Sequence, residues 1–477
     1  MTLTRSDDRG RPRPRHHFTA LTAAGAVILL MATGCSSPGK SDPQALTPEP
    51  ILVSELLDSP SALAMRPGTL ELWIANSGDD SLTIIDLDDP DSAQRLQDGY
   101  GEHFTARPSG IAFNEDGTFF AISNDSNNEV RDMEFVLNPE RESHFRNNNF
   151  MGPTLFSPET FALAGQNKAY LDDWPQPGIS HDPPDDIPEH QCPAEYWAQG
   201  ISQCAWPRQG SHLDMLHGNP LSTGIVHDAV NAYYVLDGCG VGDSRGSCDG
   251  PGHVARIDFN RDHQEGNGFH GDGVTQRYID LPFKRVDGVP SGMMRHDGWV
   301  YYSDTGAGTV RRFQPDTGRF EVMVSNWNDS PASHGEHGPG VVDWSHLEDG
   351  PGDGDDPETV SAWVAEHGNP EAIDAAGDSW IMPRETLAEY SYVWEATAEE
   401  VAPGSVDRPS GLVAGESSWF VADNDSGRIL EFDWDGSPGR VIETGLDGLT
   451  GLALSEDGSE LFFTDTDSNG VYRVRLG

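Results

Sequence analysis

Lysine is nearly missing from this sequence. Among 477 residues only Lys40, Lys168 and Lys284 are lysines, and Lys plus Arg total 30 against 78 Asp plus Glu, a formal net charge of −48. So acidic a surface repels phosphate backbones and anionic lipid, which argues against nucleic acid as a partner and against a membrane contact made through charge. Acidic surfaces also stay soluble in a salty habitat, and the charge is read here as that adaptation. Cysteine is scarce too, with five residues and no CxxC-type spacing of the kind a structural zinc site uses. There is no G-x-S-x-G and no GxxxxGK[ST], so neither a hydrolase nucleophile elbow nor a phosphate-cradling loop is written into the chain.

Long apolar runs are absent except for one near the N-terminus. Arg5, Arg9, Arg11, Arg13 and Arg15 precede an apolar stretch from Phe18 to Ala32, which is too short and wrongly flanked for a spanning helix. It ends Met31-Ala32-Thr33-Gly34-Cys35. This resembles a bacterial lipobox, with Ala32 where Leu is commoner. The resemblance implies a signal peptide over residues 1–34, lipidation of Cys35, and a Pro/Ser-rich tether over residues 35–50. Ser36 after the cysteine, rather than Asp, implies outer-membrane sorting in a Gram-negative cell. The expected location is therefore the cell envelope, with membrane contact only through the lipid anchor. Export agrees with the remaining cysteines. Cys192, Cys204, Cys239 and Cys248 allow three connectivities, and local pairing (Cys192–Cys204, Cys239–Cys248) is favoured because each pair brackets one Gly/Pro-rich loop.

What the chain does contain is a repeat. Its clearest copy runs from Arg408 to Gly436, where Pro409-Ser410-Gly411 leads into a first short strand. Trp419–Ala422 forms a second, Asp423–Gly427 a turn, and Arg428–Trp434 a third. Period-two alternation between Gly/Asp/Asn clusters marks antiparallel strands. The entry recurs at Pro60-Ser61-Ala62, Pro108-Ser109-Gly110, Ser222-Thr223-Gly224, Pro290-Ser291-Gly292 and Leu449-Thr450-Gly451. Each entry is followed by a second strand ending in Asn or Asp, then by a third strand. For the second copy, that third strand is read as NEVRDMEF. Six small sheets, none able to bury both faces alone, predict a closed radial stack.

These observations predict an all-β, six-bladed β-propeller over residues 51–477. Two long insertions, about residues 135–220 and 326–404, are expected between blades. The last copy has three strands where four are needed, so a strand near Ile51–Glu55 is expected to complete it and remove the open edge. The P-S/T-G entry, the acidic turn and the following R-I/V-x-x-F strand resemble NHL repeats. The whole resembles the NHL and SMP-30/gluconolactonase-like propellers. That resemblance implies architecture, because one such fold hosts lactonases, lyases, dehydrogenases and binding modules alike.

Candidate chemistry gathers in the loops expected at the channel mouth. Histidines concentrate there: His212 and His217 lead into an inner strand bearing His227, followed by His253, His263, His270 and His296. His212, His217 and His227 around an open position would suit zinc, and His212, Met215 and His217 would suit copper. The alternative is that they are hydrogen-bonded loop histidines. Asp258, Asn260 and Asp262 form a partial calcium ladder. Asp465-Thr466-Asp467-Ser468-Asn469-Gly470 is read as a structural turn. The resemblance to gluconolactonases points to Asp237, Asp304 and Asp423, which close their blades' second strands; closing the turn is their expected task. Together these readings favour a propeller lipoprotein that binds a small molecule or an envelope protein at a His-rich mouth. A metal-dependent lactonase or lyase, and a structural envelope protein, are the alternatives.

Overall fold

The computed structural model describes residues 46–97, 105–126, 152–158, 212–215, 221–239, 251–259, 274–326 and 387–476. Blade five shows how sequence becomes architecture. Its strands are β20 (Pro409–Ala414), β21 (Ser418–Asp423), β22 (Arg428–Asp433) and β23 (Pro438–Glu443), paired in that order from the inside outward. Alternation along β21 sends Trp419 and Val421 into one apolar cluster with Tyr301 and Val310 of blade four. Phe420 and Ala422 enter another with Leu452 and Phe463 of blade six. Both faces of the blade are buried, at roughly 1.5–3 kcal/mol for each large side chain removed from water. Six such clusters occur, one per seam between neighbouring blades.

The other blades repeat this order. Blade one is β2 (Pro60–Met65), β3 (Glu71–Asn76), β4 (Ser81–Asp86) and β5 (Gln94–Gln97). Blade two is β6 (Pro108–Phe113), β7 (Phe120–Asn124), β8 (Thr154–Phe156) and β9 (His212–Met215). Blade three begins β10 (Thr223–Ala229), β11 (Ala232–Asp237), β12 (Gly252–Asp258) and β13 (Val274–Phe283). Blade four is β14 (Met293–His296), β15 (Trp299–Asp304), β16 (Thr309–Phe313) and β19 (Ala398–Val401). Blade six is β24 (Leu449–Leu454), β25 (Glu460–Asp465) and β26 (Gly470–Arg475), completed by β1 (Glu49–Val53). The expected closure is present: Glu49 lies opposite Arg473 and Val53 opposite Gly470.

Two expectations are corrected. The insertions fall inside blades rather than between them. In blade two the third strand is Thr154–Phe156, not NEVRDMEF, so chain is inserted on both sides of β8. Phe156 stacks on Phe120 at 5.4 Å between ring centroids, and this tertiary contact, not local alternation, selects the strand. In blade four the insertion separates β16 from β19. Its two flanks form β17 (Arg319–Asn326) and β18 (Leu387–Trp394), an antiparallel pair that extends blade three to six strands, with β18 parallel to β13. Because successive strands alternate direction, loops after a second strand and loops after a third strand leave opposite ends of a blade. The insertions therefore do not all leave on the same face.

The first strand breaks its ladder beside Ser61-Ala62 in blade one, Ser109-Gly110 in blade two, Thr223-Gly224 in blade three, Ser410-Gly411 in blade five and Thr450-Gly451 in blade six. Hydroxyls of these strands, with Thr305 just after blade four's second strand, bridge to the next blade. Ser61 donates to the Pro108 carbonyl at 2.5 Å, Ser109 to Ser222 at 2.8 Å, and Ser410 to Leu449 at 2.9 Å. Thr223 accepts from the Ser291 N–H at 2.8 Å, Thr305 donates to the Pro409 carbonyl at 2.8 Å, and Thr450 donates to Pro60 at 2.9 Å. A hydrogen-bonded ring thus joins all six blades. The glycines after these hydroxyls let the inner strands approach: a Cβ on Gly451 would lie 2.8 Å from Ala62 Cα, and one on Gly292 would lie 2.7 Å from the Ser410 carbonyl oxygen.

Candidate functional site

The face on which blade linkers enter also receives the ends of the second strands, and there each blade places one Asn or Asp. Asn76 accepts the Asp58 N–H at 3.3 Å and Asn124 the Ala106 N–H at 3.1 Å. Asp304 accepts Lys284 N–H at 2.9 Å, Asp423 Arg408 N–H at 3.1 Å, and Asp465 Gly448 N–H at 3.0 Å. Each of these five side chains holds the linker entering its own blade. The second carboxylate oxygens are engaged as well: Arg311 donates to Asp304 at 3.0 Å, Ser426 to Asp423 at 2.6 Å, and the Ser468 N–H to Asp465 at 2.7 Å. Burial raises the Asp304 pKa against the pull of its donors. Burial also disfavours ionised Asp423, but hydrogen bonds from Ser426, Arg408 and Asp407 outweigh it and lower that pKa. Asp304 and Asp423 therefore secure linkers as well as turns.

Blade three breaks the pattern. Asp237 turns to its own loop, accepting the Cys239 N–H at 2.9 Å, and its other oxygen accepts Arg277 Nη1 at 3.1 Å. The same Arg277 nitrogen lies 3.0 Å from His253 Nε2, and His253 Nδ1 lies 3.1 Å from the Cys239 carbonyl. Arginine only donates, so Nε2 accepts and Nδ1 carries the proton. The ring of contacts begins and ends on the peptide groups of one residue. Asp237, Cys239, His253 and Arg277 are all nearly inaccessible to water. Burial pushes Asp237 up to about 7 against the attraction of Arg277. Burial, then the Arg277 charge, press His253 down to about 3. Cys239 is disulfide-bonded; Cys248, Cys192 and Cys204 lie outside the described residues.

Above this network a second charged group crosses the blade. Arg285, in the linker to blade four, passes over Gly238, where a Cβ would lie 2.8 Å from its Cδ. It grips Asp125 of blade two in a bidentate pair through Nε and Nη2, Nη2 to Oδ2 measuring 2.8 Å. Burial raises the Asp125 pKa while Arg285 opposes it. Arg285 also reaches Asp287 at 2.7 Å, and Arg107 reaches the same carboxylate at 3.2 Å. Asp287 and Arg107 are the open members, with side chains 76% and 43% exposed.

The sequence-derived candidates are not brought together. His227 lies at the opposite end of blade three from Asp237: it pairs with Tyr233 beside the β10–β11 turn, and its Nε2 is 3.1 Å from the Val230 carbonyl. His212 lies in the outer strand of blade two, and His217 is outside the described residues. His253 belongs to the buried network, and His296 stacks on Trp434 at 3.4 Å. Asp258 ends β12 with its carboxylate 3.8 Å from Arg256, while Asn260 and Asp262 are outside the described residues. The Asp465–Gly470 turn is structural: Asn469 accepts the Ser59 N–H at 2.8 Å and donates to the Leu57 carbonyl at 3.1 Å, tying the last blade to the first linker.

Sequence reasoning missed Arg277, Arg285 and Asp125. The available signal was the third copy's entry, with Ser222 where four of the six copies have Pro. As for a metal, no three His, Cys, Asp or Glu side chains among the described residues gather in a metal-holding group. The strand-end aspartates spend both oxygens on the scaffold, so they do not fit a divalent ion, and no step is derived through one.

No family model and no curated protein matches the sequence. Similar solved structures include a gluconolactonase from Xanthomonas campestris, at TM-score 0.43 and 10% identity over 91% of this chain and 90% of that one. Regucalcin from Agrobacterium tumefaciens, a calcium-binding protein, gives 0.41 and 10% over 90% and 93%. An auxiliary nutrient-binding protein from Bacteroides thetaiotaomicron gives 0.39 and 9% over 88% and 69%. Binding proteins and enzymes both occur among them, and at these values the likeness carries no argument for activity.

Proposed function

We propose that this chain is an exported, lipid-anchored propeller that binds a small molecule or an envelope partner at the face over blade three. The observation that carries this reading is the break in the repeat. Five blades use the strand-end side chain to hold a linker, and blade three alone diverts it to fix a loop, beneath an arginine that spans to blade two. Places where a repeated scaffold abandons its own rule are where function is expected. Arg107 and Asp287 give that face an exposed cation and anion in contact, a pair that a polar ligand could bridge or displace. Binding is preferred to catalysis because each strand-end aspartate has both oxygens engaged, which leaves none of them poised as a general base. Lipidation of Cys35 and placement in the outer membrane of the cell envelope belong to the same proposal.

The test uses the full chain. Thermal shift against gluconate, glucono-δ-lactone, citrate, glucose and calcium is compared in wild type and in an Arg107→Ala/Asp287→Ala variant. A stabilising shift that the variant abolishes supports the reading. Turnover of the lactone, or shifts unaffected by the variant, would contradict it. Palmitate incorporation that is lost in Cys35→Ser tests the anchor separately.

A further inference from the structure

Asp287 stands at the tip of a tight turn in the linker to blade four. The Val289 N–H donates to the Val286 carbonyl at 3.1 Å, and Gly288 at φ +74° supplies the left-handed third residue that a type II turn requires. A Cβ added to Gly288 would meet nothing within 4 Å, so the tip stands clear of the blades. Its carboxylate is nevertheless held from two directions. Arg285, two residues earlier, donates Nη2 to Asp287 Oδ1 at 2.7 Å. Arg107, 180 positions away at the entry to blade two, donates Nη2 to the same oxygen at 3.2 Å. Hydrogen bonding from Arg285, the largest cause, holds the Asp287 carboxyl below its ordinary pKa.

Both guanidinium groups have anchors other than Asp287. Arg285 is fixed by its bidentate pair with Asp125. Arg107 is fixed through its backbone: its N–H donates to Asp80 at 2.6 Å, and its carbonyl accepts the Asp125 N–H at 3.0 Å. These bonds keep Arg107 at φ +49°, a left-handed conformation that costs a residue with a side chain energy and is retained where the surroundings impose it. Among the described residues, Arg107 Nε and Nη1 have no acceptor, and its side chain is 43% exposed. An arginine held this way presents unused donors to solvent beside the one oxygen it shares with Arg285.

We propose that Arg107 and Arg285 form a clamp for the carboxylate of a small organic acid, and that Asp287 fills it as a tethered stand-in which the ligand displaces. Guanidinium groups suit this task because their forked donors match a carboxylate. The exchange conserves charge, since one carboxylate leaves as another enters. Asp287 is already 76% exposed, so turning it fully into water costs little. A small acid is favoured over an acidic protein because the chain carries a net charge of −48, which repels a polyanionic partner far more than a single carboxylate. The clamp rests on the reading of this face as a binding face, and it names the ligand class and the groups that anchor it.

The experiment is calorimetric titration of the full chain at low salt in the presence of EDTA. Succinate and gluconate are compared with their neutral counterparts, succinamide and glucose, in wild type, Asp287→Ala and Arg107→Ala. The two carboxylates should bind Asp287→Ala about fivefold more tightly than wild type, the gain expected when a competing exposed ion pair is removed. Arg107→Ala should lose that binding, and the neutral probes should bind none of the three. Carboxylate binding that is unchanged or weakened in Asp287→Ala would overturn the clamp, and so would its absence from both wild type and that variant. Binding of glucose or succinamide that Arg107→Ala abolishes would also overturn the clamp while leaving the binding face itself standing. Asp287→Ala alters only an exposed turn tip, and a gain in affinity does not arise from misfolding, so the test stays decisive if Arg107→Ala does not fold.

Discussion

Thr450 donates its hydroxyl to the carbonyl of Pro60 at 2.9 Å, across 390 positions of sequence. This bond and the β1–β26 ladder close the circle of blades at the only seam that joins the two ends of the propeller. Thr464 lies 2.8 Å from the same hydroxyl and also accepts the Gly451 N–H. Thr450→Val keeps the shape and removes the donor, leaving the buried Pro60 carbonyl short of a partner. It should lower stability by about 1–3 kcal/mol in urea unfolding. Amide exchange in β1 and β26 should rise more than in β20 and β21, and uniform acceleration across the blades would contradict a seam-specific role.

The glycines that follow the entry hydroxyl in blades two to six are predicted to be intolerant. Gly451→Ala would place a methyl 2.8 Å from the Ala62 backbone, and backbone cannot swing aside as a side chain can. A loss of about 1–3 kcal/mol or more is expected from such overpacking. Gly458→Ala, whose Cβ would meet nothing within 4 Å but sits at φ +69°, should lose only about 1 kcal/mol through its left-handed backbone. Thermal melts of the two variants check the order, and equal losses would deny the close approach of inner strands.

The Arg285–Asp125 clasp spans 160 positions. Arg285→Met strips a buried carboxylate of its bidentate partner and should destabilise by about 3–5 kcal/mol, whereas Asp125→Asn should be milder because a neutral amide is cheaper to bury. Urea unfolding of the two single variants and the double variant gives the coupling energy. A coupling near zero would mean the clasp is solvated and idle.

The architecture could be read from the chain because its signal is local and repeated. A Ser or Thr followed by Gly (Ala in the first copy), the strand-ending Asn or Asp and a second strand like Trp419–Ala422 recur six times, and the missing fourth strand announced β1. Blade two was misread because NEVRDMEF stands where the repeat places a third strand, while Thr154–Phe156 is too short to alternate at all; Phe156 is placed by stacking on Phe120. The site was less legible. Asp237 could be singled out, but its divergence from Asp304 and Asp423 depends on Arg277 arriving from β13, the fourth strand of the blade, a partnership with no sequence spacing to reveal it. The histidine cluster looked coherent along the chain, yet alternate strand directions send His227 and His253 to opposite ends of blade three.

The buried ring also makes a pH prediction for global stability. His253 is depressed from about 6.5 unfolded to about 3 folded, so its neutral form favours folding fully above about 6.5, and that contribution is lost as pH falls toward 3. Asp237 is raised from 3.8 to about 7, so its contribution is fully present below 3.8 and is lost as pH rises through about 7. The two oppose each other between about 3.8 and 6.5. His253→Gln keeps an acceptor for Arg277 and a donor for the Cys239 carbonyl while removing the first effect. Wild type should therefore lose stability relative to the variant by up to about 1.4 kcal/mol per pH unit below pH 6.5, with parallel curves above it. Parallel curves throughout would show that His253 is not held neutral.

The central claim is that the face over blade three binds, and does not catalyse through a metal held by the neighbouring histidines. Elemental mass spectrometry of the purified full chain, run beside the His212→Ala/His217→Ala variant and coupled to a glucono-δ-lactone hydrolysis assay with added calcium, zinc or copper, tests it most directly. The account predicts no near-stoichiometric zinc or copper that the variant removes, and no hydrolysis above background. Stoichiometric metal that vanishes in the variant together with its lactone turnover would contradict the account and establish a metalloenzyme in its place.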